Sequence, residues 1–247
     1  MCGLVTILTS GRPLGDREQV IDAMLASILH RGPDANGKVH VKNQAIFSHC
    51  RLAIIDLEHG EQPMVSDDQR YTLVFNGEIY NYQELKRSMV QQGHHFTSSS
   101  DTEVLFRLLI HEGTSAIEKL NGMFAFVFHD RKTNSWIAAR DPFGVKPLYY
   151  TALQDELLFA SEIKALLQHP EVAAKRDDAA LYQYLSLQLC LDERTLFANI
   201  QKIKPGFYFT GNGSAVEQKV CYWDTDYNVD YHHTEDYFTE SVRATVE

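Results

Sequence analysis

The chain has 247 residues, enough for one large domain or two small ones, with 44% hydrophobic and 23% charged residues. Acidic residues outnumber basic ones 33 to 23, and a net charge of -10 argues against nucleic acid or an anionic membrane as the main partner. No targeting segment is recognisable, and no stretch approaches the roughly 18 apolar residues that span a bilayer. The four cysteines are sparse and irregularly spaced, which argues against a disulfide framework and favours a cytoplasmic protein.

Hydrophobic patterns in the first half of the chain predict strands and helices in turn. Strands are expected at residues 4–8, within 45–55 as one or two strands, and at 71–75, the last ending at an Asn76-Gly77 turn. A first helix follows Asp16 and stops where Pro33 pushes Gly32 out of the helical region. A second helix covers residues 82–92, and a third is capped by Asp101 or Thr102.

The second half of the chain is richer in short strands. A hairpin is predicted from residues 123–129 and 135–139, and further strands at 148–151, 157–160, 206–209 and 216–222. Helices are expected near 163–168 and at 179–187. Strands and helices are segregated along the chain rather than strictly alternating, which favours the α+β class.

The texture of the sequence changes after Trp223. Residues 224–234 are polar, and Glu235 begins an amphipathic helix that the end of the chain cuts short. We therefore expect one domain over residues 1–223, and a linker plus the truncated start of a second domain over 224–247.

A candidate nucleophile stands at position 2. If Met1 is removed, Cys2 carries a free α-amino group, and such groups titrate near 7.7 to 8.0. A free thiol titrates near 8.5 and needs a base to attack an amide. One residue would then supply both nucleophile and base, the N-terminal-nucleophile arrangement. On Cys2 alone, a chance Met-Cys start with an inert buried thiol remains an open alternative.

Several short motifs follow Cys2 in a defined order. They are Met1-Cys2-Gly3, His30-Arg31-Gly32-Pro33-Asp34, Arg51-Leu52-Ala53-Ile54, Asn76-Gly77-Glu78-Ile79-Tyr80-Asn81, Ser100-Asp101-Thr102-Glu103, Gly122-Met123-Phe124-Ala125-Phe126, Arg140-Asp141-Pro142-Phe143-Gly144 and Pro147-Leu148-Tyr149-Tyr150. Each motif alone is weak. The ordered set resembles class II glutamine amidotransferases, most of all the N-terminal half of glutamine-hydrolysing asparagine synthetase, over residues 1–223.

A glutamine site must recognise the carboxylate and the ammonium of an amino-acid head group. Arg51 is suited to a forked pair with the carboxylate, and Glu78 and Asp101 are suited to the ammonium. The resemblance gives the matching positions these roles, and it implies a pocket lined by the backbone of Leu52, Ala53, Ile54 and Ile55. The alternatives are a surface ion pair for Arg51, a turn residue for Glu78 and a helix cap for Asp101.

Asn76-Gly77 has two interpretations, which are compatible with each other. The dipeptide is a turn signal. The resemblance also implies an oxyanion hole in which the Asn76 amide and the Gly77 N–H bind the tetrahedral oxygen. Loss of one such donor typically costs on the order of 10²–10³ in rate.

The resemblance further implies an αββα sandwich, with Cys2 at the start of a central strand. No metal or cofactor is expected for this domain, and His94-His95 and His232-His233 are interpreted as solvated loop histidines. ATP and Mg²⁺ belong to the C-terminal synthetase domain of the family, whose SGGxDS loop is absent from these 247 residues. The expected partners are glutamine and that domain, and the sequence is compatible with a homodimer.

Two other functions stay open. A catalytically silent binding domain is favoured if Met1 stays attached, because an acylated nitrogen is no base. Alternatively, the complete protein amidates an acceptor other than aspartate. An apolar docking face for the second domain is expected near residues 143–150.

Overall fold

The computed structural model describes residues 2–11, 14–15, 17–52, 60–227 and 229–247. Within these ranges the chain forms twelve strands and six α-helices. The strands are β1 Gly3–Thr9, β2 Ala35–Val41, β3 Ala45–Arg51, β4 Met64–Val65, β5 Tyr71–Ile79, β6 Gly122–Asp130, β7 Ser135–Arg140, β8 Tyr149–Ala152, β9 Glu156–Ala160, β10 Gln201–Lys202, β11 Phe207–Asn212 and β12 Ala215–Cys221. The helices are α1 Arg17–Ala26, α2 Tyr82–Gln91, α3 Asp101–Glu112, α4 Ile163–Leu166, α5 Asp178–Leu187 and α6 Glu235–Val246, with 3₁₀ turns at Leu29–Arg31 and Gly113–Lys119.

The strands form two six-stranded sheets whose pairings are all antiparallel. The first sheet has the order β10-β8-β9-β1-β3-β2, and the second has the order β12-β11-β7-β6-β5-β4. The inner faces of both sheets share one hydrophobic cluster, which joins Leu4 and Phe47 of the first sheet to Val127 and Trp136 of the second. The two sheets therefore pack face to face.

Helices cover the outer face of each sheet. Side chains alternate along β1, so Val5 and Ile7 point away from the second sheet and pack with Ile21 and Met24 of α1. On the other side, α3 packs with the outward residues of β5 and β6 in a third cluster that contains Leu108. The resulting layers are helix, sheet, sheet and helix, which confirms the predicted α+β fold of the αββα type.

The predicted turn at Asn76-Gly77 is wrong. Strand β5 runs through both residues to Ile79, and its register pairs Gly77 with Phe124 across β6. A Cβ at Gly77 would collide with the Met123 carbonyl oxygen and the Phe124 Cα. The glycine therefore serves close packing between two paired strands, a non-local constraint that overrides the local turn preference.

Other predictions fail at helix ends. The first helix ends at Ala26 and gives way to a 3₁₀ turn, several residues before Gly32. The cap of α3 is Ser100, whose hydroxyl accepts a hydrogen bond from Thr102 N at 3.1 Å. Asp101 is the first residue inside that helix. Asp16, the predicted cap of α1, lies outside the described residues.

The loop between β7 and β8 carries two exposed apolar side chains. Phe143 is 77% exposed and Val145 54%, whereas Leu148 and Tyr150 are buried. The predicted apolar face near residues 143–150 is therefore restricted to its first half.

Among the described helices, none combines the length and apolar character needed to cross a bilayer.

Candidate active site

One cleft is lined by most of the predicted site residues. Sequence positions as distant as 2 and 101 contribute to it, because the start of β1, the end of β3, the second half of β5 and the start of α3 lie beside it. Seven predicted residues line this cleft: Cys2, Arg51, Leu52, Asn76, Gly77, Glu78 and Asp101. The predicted lining residues Ala53, Ile54 and Ile55 lie outside the described residues.

Cys2 directly precedes β1, the strand between β9 and β3 in the first sheet. Its Sγ lies 3.4 Å from Leu52 N, which donates to it, and 3.7 Å from Leu52 O. The Cys2 carbonyl accepts a hydrogen bond from Arg31 Nε at 2.9 Å. Contacts on both its sulfur and its carbonyl therefore hold the thiol at the cleft.

Two N–H donors of β5 face the same cleft. Asn76 is 1% exposed, and its Nδ2 has no hydrogen-bond partner among the residues that the structure describes. A buried amide without a partner costs about 1–3 kcal/mol, so such groups are rare unless a ligand completes them. The amide is therefore suited to bind an oxygen that a substrate brings into the cleft.

The second donor is the backbone N–H of Gly77. Its opposite residue, Phe124, directs both of its backbone groups to Asp141: Phe124 N donates to Asp141 Oδ2 at 3.2 Å, and Phe124 O accepts from Asp141 N at 2.8 Å. Gly77 and Phe124 consequently form a non-hydrogen-bonded antiparallel pair, in which the Gly77 N–H points away from β6.

The residues of β5 on either side of Gly77 show which groups lie beyond this edge of the strand. Phe75 N donates to Gln62 Oε1 at 2.7 Å, and Ile79 N donates to Asp101 Oδ2 at 3.0 Å. Gly77 lies between these two residues with the same orientation, because backbone direction repeats every second residue in a strand. Its N–H therefore points towards the side of β5 on which Gln62 and Asp101 lie.

Charged groups of both signs occupy the cleft. Arg51 is the last residue of β3 and is buried, which excludes the alternative that it forms an ion pair on the protein surface. Asp101, at the start of α3, is 5% exposed. Burial raises the pKa of Asp101, and the nearby Glu78 carboxylate raises it further. The hydrogen bonds that Asp101 accepts from Ile79 and Thr102 act to lower this pKa, but they do not cancel the rise. A cation bound between the two carboxylates would relieve this repulsion.

A buried histidine underlies the cleft. His49 Nε2 is 3.1 Å from Phe75 O and links β3 of the first sheet to β5 of the second. Burial and the nearby Arg51 charge lower the pKa of His49 to about 4, whereas the hydrogen bond to the Phe75 carbonyl acts to raise it. The imidazole is therefore neutral at pH 7 and donates its Nε2–H to that carbonyl, a structural role between the sheets.

Sequence reasoning missed two cations beside Cys2. Arg31 was quoted within a motif without a role, yet it binds the Cys2 carbonyl and pairs with Glu162 at 2.9 Å. Lys146 lines the cleft and is buried, although it lies between two of the quoted motifs, in the stretch where only a docking face was expected. A lone lysine within the apolar run Val145-Lys146-Pro147-Leu148 is the one signal that could have marked it.

The described part of the chain holds no group of three or more His, Cys, Asp or Glu side chains placed to bind a metal ion. His94 contacts the ring of His111, and His233 contacts Asp230 and Tyr237. The cleft itself presents a thiol, two N–H donors and charged side chains.

The sequence of the chain matches a known domain family and several curated relatives. The model of the glutamine amidotransferase domain family matches residues 1–223. Asparagine synthetase [glutamine-hydrolyzing] 1 of Bacillus subtilis is 43% identical over 85% of this chain and 33% of its own length. Amidase chry2 of Gibberella zeae is 36% identical over 98% of this chain and 38% of its own length. The chain thus spans about a third of these relatives.

A solved structure supports the fold independently. Glutamine phosphoribosylpyrophosphate amidotransferase from B. subtilis, in complex with ADP and GMP, superposes with a TM-score of 0.65. The matched region covers 91% of this chain and 50% of the chain of that enzyme. The sequence identity is 21%, so the likeness concerns the fold alone. The family match and the sequence relatives carry the assignment further: the chain belongs to the glutamine amidotransferase domain family and is similar to the glutaminase half of the glutamine-hydrolysing asparagine synthetases.

Proposed function

We propose that this domain hydrolyses glutamine to glutamate and ammonia through a thioester at Cys2. The observation that carries the proposal is the pair of N–H donors beside the thiol. The buried Asn76 Nδ2 lacks a described partner, and the Gly77 N–H faces away from β6. Two such donors stabilise the oxyanion of an acyl-transfer intermediate, and they act best in a site from which water is excluded.

The remaining polar groups fit the head group of glutamine. The Arg51 guanidinium would form a forked pair with the α-carboxylate, and Glu78 and Asp101 would bind the α-ammonium. The raised pKa of Asp101 supports this assignment, because the two carboxylates repel each other until a cation joins them. The backbone of Leu52, with Ala53, Ile54 and Ile55 in the same role, would line the side of the pocket.

The reaction begins once Met1 has been removed. The α-amino nitrogen of Cys2 takes the proton of its own thiol, and the sulfur bonds to the carboxamide carbon of glutamine. Asn76 and Gly77 bind the oxyanion that forms. The carbon–nitrogen bond then breaks, and the amine returns the proton to the departing ammonia. Water hydrolyses the γ-glutamyl thioester to glutamate and regenerates the thiol, so this half-reaction consumes no cofactor.

An ammonia-release assay with glutamine and without ATP tests the proposal. The sample is one in which mass spectrometry has confirmed that Cys2 is the N-terminal residue. We expect slow hydrolysis, together with covalent capture of Cys2 by a glutamine-mimicking electrophile. Capture without turnover would mean that the site is assembled but needs its partner domain. If neither capture nor turnover occurs, a catalytically silent binding domain is the better description.

For the full-length protein, we propose that residues 1–223 form the glutaminase domain. Residues 224–247 would connect it to a C-terminal synthetase domain that uses ATP and Mg²⁺ to activate aspartate for amidation by the released ammonia. The exposed Phe143 and Val145 support a contact surface for that domain or for a second copy in a homodimer. The four free thiols fit a cytoplasmic location.

The amide acceptor is the least constrained part of this proposal. A relative named as an amidase is 36% identical to the chain, close to the range of relatives named as asparagine synthetases. That observation keeps an acceptor other than aspartate as the second candidate. Product analysis of the full-length protein with ATP, glutamine and aspartate separates the two, because only the first predicts asparagine.

A further inference from the structure

The outer edge of β5, the one turned away from β6, is covered by side chains on both sides of Gly77. Phe75 N donates to Gln62 Oε1 at 2.7 Å, and Ile79 N donates to Asp101 Oδ2 at 3.0 Å. Asp101 belongs to the head-group end of the proposed glutamine site. Gln62 lines the same cleft, and the reaction described above gives it no role.

Both backbone groups of Phe75 have side-chain partners. Its N–H is bound by Gln62, and its carbonyl oxygen is 3.1 Å from His49 Nε2. The N–H and C=O of one strand residue point to the same edge of the strand, so both contacts lie on the outer edge of β5. Phe75 is 2% exposed, and a buried backbone group that loses its partner destabilises that position of the strand. The two side chains therefore fix β5 one residue before Asn76.

Gln62 also contacts the first sheet through its backbone. A Cβ placed on Gly37 of β2 would lie 2.2 Å from Gln62 O and 3.2 Å from Pro63 Cδ. Glycine at position 37 thus allows this segment to pack directly on the backbone of β2. The Gly37 carbonyl accepts from Ser48 Oγ of β3 at 2.9 Å, so this part of β2 is itself bonded to the next strand. Gln62 therefore joins β2 of the first sheet to β5 of the second.

This link matters because the two halves of the proposed site lie on different sheets. Cys2 precedes β1 of the first sheet, whereas Asn76 and Gly77 belong to β5 of the second. The sheets pack through a shared apolar cluster, and apolar contacts have no directional preference. Donors of an oxyanion hole act at about 2.7–3.1 Å from the oxygen, and a shift of about 1 Å can cost about 10²-fold in rate. A hydrogen-bonded link between the sheets at the cleft therefore bears directly on the rate.

We propose that Gln62 is a positioning residue for the oxyanion hole. This inference deepens the proposed function and rests on it. The Gln62 amide oxygen holds Phe75 N while His49 holds Phe75 O, and together they fix β5 relative to the first sheet. Asn76 Nδ2 and the Gly77 N–H are thereby kept at bonding distance from the oxygen that becomes negative when the thiol attacks. Gln62 itself transfers no proton.

Steady-state kinetics provide the first test. Gln62→Met keeps the approximate length of the side chain and removes the acceptor of Phe75 N. With Cys2 confirmed as the N-terminal residue, this variant should lower kcat about thirtyfold and change the glutamine KM less than about threefold, because Arg51 and Asp101 are unchanged. Gln62→Glu offers an acceptor at the same reach and should keep kcat within about threefold of the parent. The effect of its added charge should appear in KM.

Covalent capture of Cys2 gives a second readout, which does not require turnover. A diazoketone analogue of glutamine alkylates the thiol with loss of dinitrogen, and the thiol proton passes to the diazo carbon. Its ketone oxygen would lie where the oxyanion forms. Methyl methanethiosulfonate modifies the same thiol with loss of methanesulfinate and carries no acyl group. In Gln62→Met, the diazoketone should react about tenfold more slowly, and the thiosulfonate rate should stay within about twofold of the parent. Mass spectrometry of the N-terminal peptide measures both rates.

Gln44 provides a matched control. Its Nε2 donates to Arg131 O at 3.1 Å, so it also joins the two sheets, but at the opposite end of β3 from the cleft. Gln44→Met should leave kcat and both capture rates within about twofold of the parent, because the site is distant. If Gln62→Met does not give the parent far-UV spectrum, Gln62→Asn takes its place, since its shorter side chain moves the acceptor away from Phe75 N.

The results separate this inference from the proposed function. A folded Gln62→Met with the kcat and diazoketone rate of the parent overturns the role of Gln62, even if the parent hydrolyses glutamine. Equal losses with both reagents overturn it as well, because the change would then act on the thiol. Capture that depends on Gln62 in a parent that releases no ammonia supports this role and counts against the glutaminase proposal alone. A parent that neither captures nor hydrolyses contradicts both, since no working oxyanion site is then present.

Discussion

The first turn of α3 carries two buried carboxylates that differ sharply in their surroundings. Glu103, which is 3% exposed, accepts hydrogen bonds from the backbone and hydroxyl groups of Thr97 and Ser98 and pairs with Arg107 at 2.7 Å. Burial acts to raise its pKa, but these donors outweigh burial and lower the pKa to about 2. Glu103 is therefore satisfied as an anion within the chain.

Asp101, two residues earlier, faces the cleft and lacks such a set of donors. It accepts from Ile79 N at 3.0 Å, and burial together with the neighbouring Glu78 raises its pKa. A carboxylate that its own chain satisfies stabilises the fold. A buried carboxylate that lacks a cationic partner lowers the stability of the fold, and it is available to bind a cationic ligand. The two sides of one helical turn thus separate structure from function.

The largest expected effect belongs to the cleft side. Cys2→Ala should abolish glutamine hydrolysis, since no other described group in the cleft can form the thioester. The thermal midpoint should stay close to that of the parent, because the change removes one sulfur at the start of a strand. Ammonia release and thermal unfolding measure the two properties. Near-parental turnover in this variant would overturn the proposed nucleophile.

The next effect tests the unsatisfied amide. Asn76→Ala should lower kcat by about 10²–10³ because one oxyanion donor is lost, with little loss of stability since Nδ2 has no described partner to lose. Asn81→Ala is the matched control: its side chain bonds the backbone of Lys119 and Asn121. That variant should lose stability and keep its turnover. The opposite pattern would assign Asn76 to structure.

The comparison predicts a trade between binding and stability at Asp101. Asp101→Asn should raise the glutamine KM about thirtyfold, as expected for loss of a buried charge pair worth about 2 kcal/mol. Its free energy of unfolding at pH 7 should equal or exceed that of the parent, because the raised pKa shows that the folded state disfavours the charge. Arg51→Lys should also weaken glutamine binding, through loss of the forked geometry.

Much of this architecture follows from sequence patterns. The short apolar run at residues 4–8 identified β1, and the hairpin of β6 and β7 was confirmed nearly to the residue. Strand β2 was missed, because Ala35–Val41 is an edge strand with mostly exposed side chains and a weak hydrophobic pattern. Local signals thus identify buried elements better than exposed ones.

The site was predicted through ordered motifs, and its errors have physical causes. The Asn76-Gly77 turn failed because pairing of β5 with β6 depends on residues almost fifty positions away. Lys146 was missed because burial of a lysine has no local sequence signature. Its backbone is held by a hydrogen bond to the Asp141 carboxylate, a contact that depends on how the loop between β7 and β8 folds. Charge in a sequence does not reveal which charged side chains the fold buries.

The smallest expected effect concerns the structural side of α3. Glu103→Gln should lower the free energy of unfolding at pH 7 by about 2 kcal/mol, because the amide cannot replace an anion bonded to Arg107. In the parent, the lowered pKa means that this stabilisation is present above about pH 4.5 and is lost as the pH falls towards about 2. Chemical denaturation from pH 7 to pH 3 should therefore show a smaller loss of stability in the variant than in the parent. The glutamine KM should not change, whereas a rise comparable to that of Asp101→Asn would mean that the two sides of the turn are not separate.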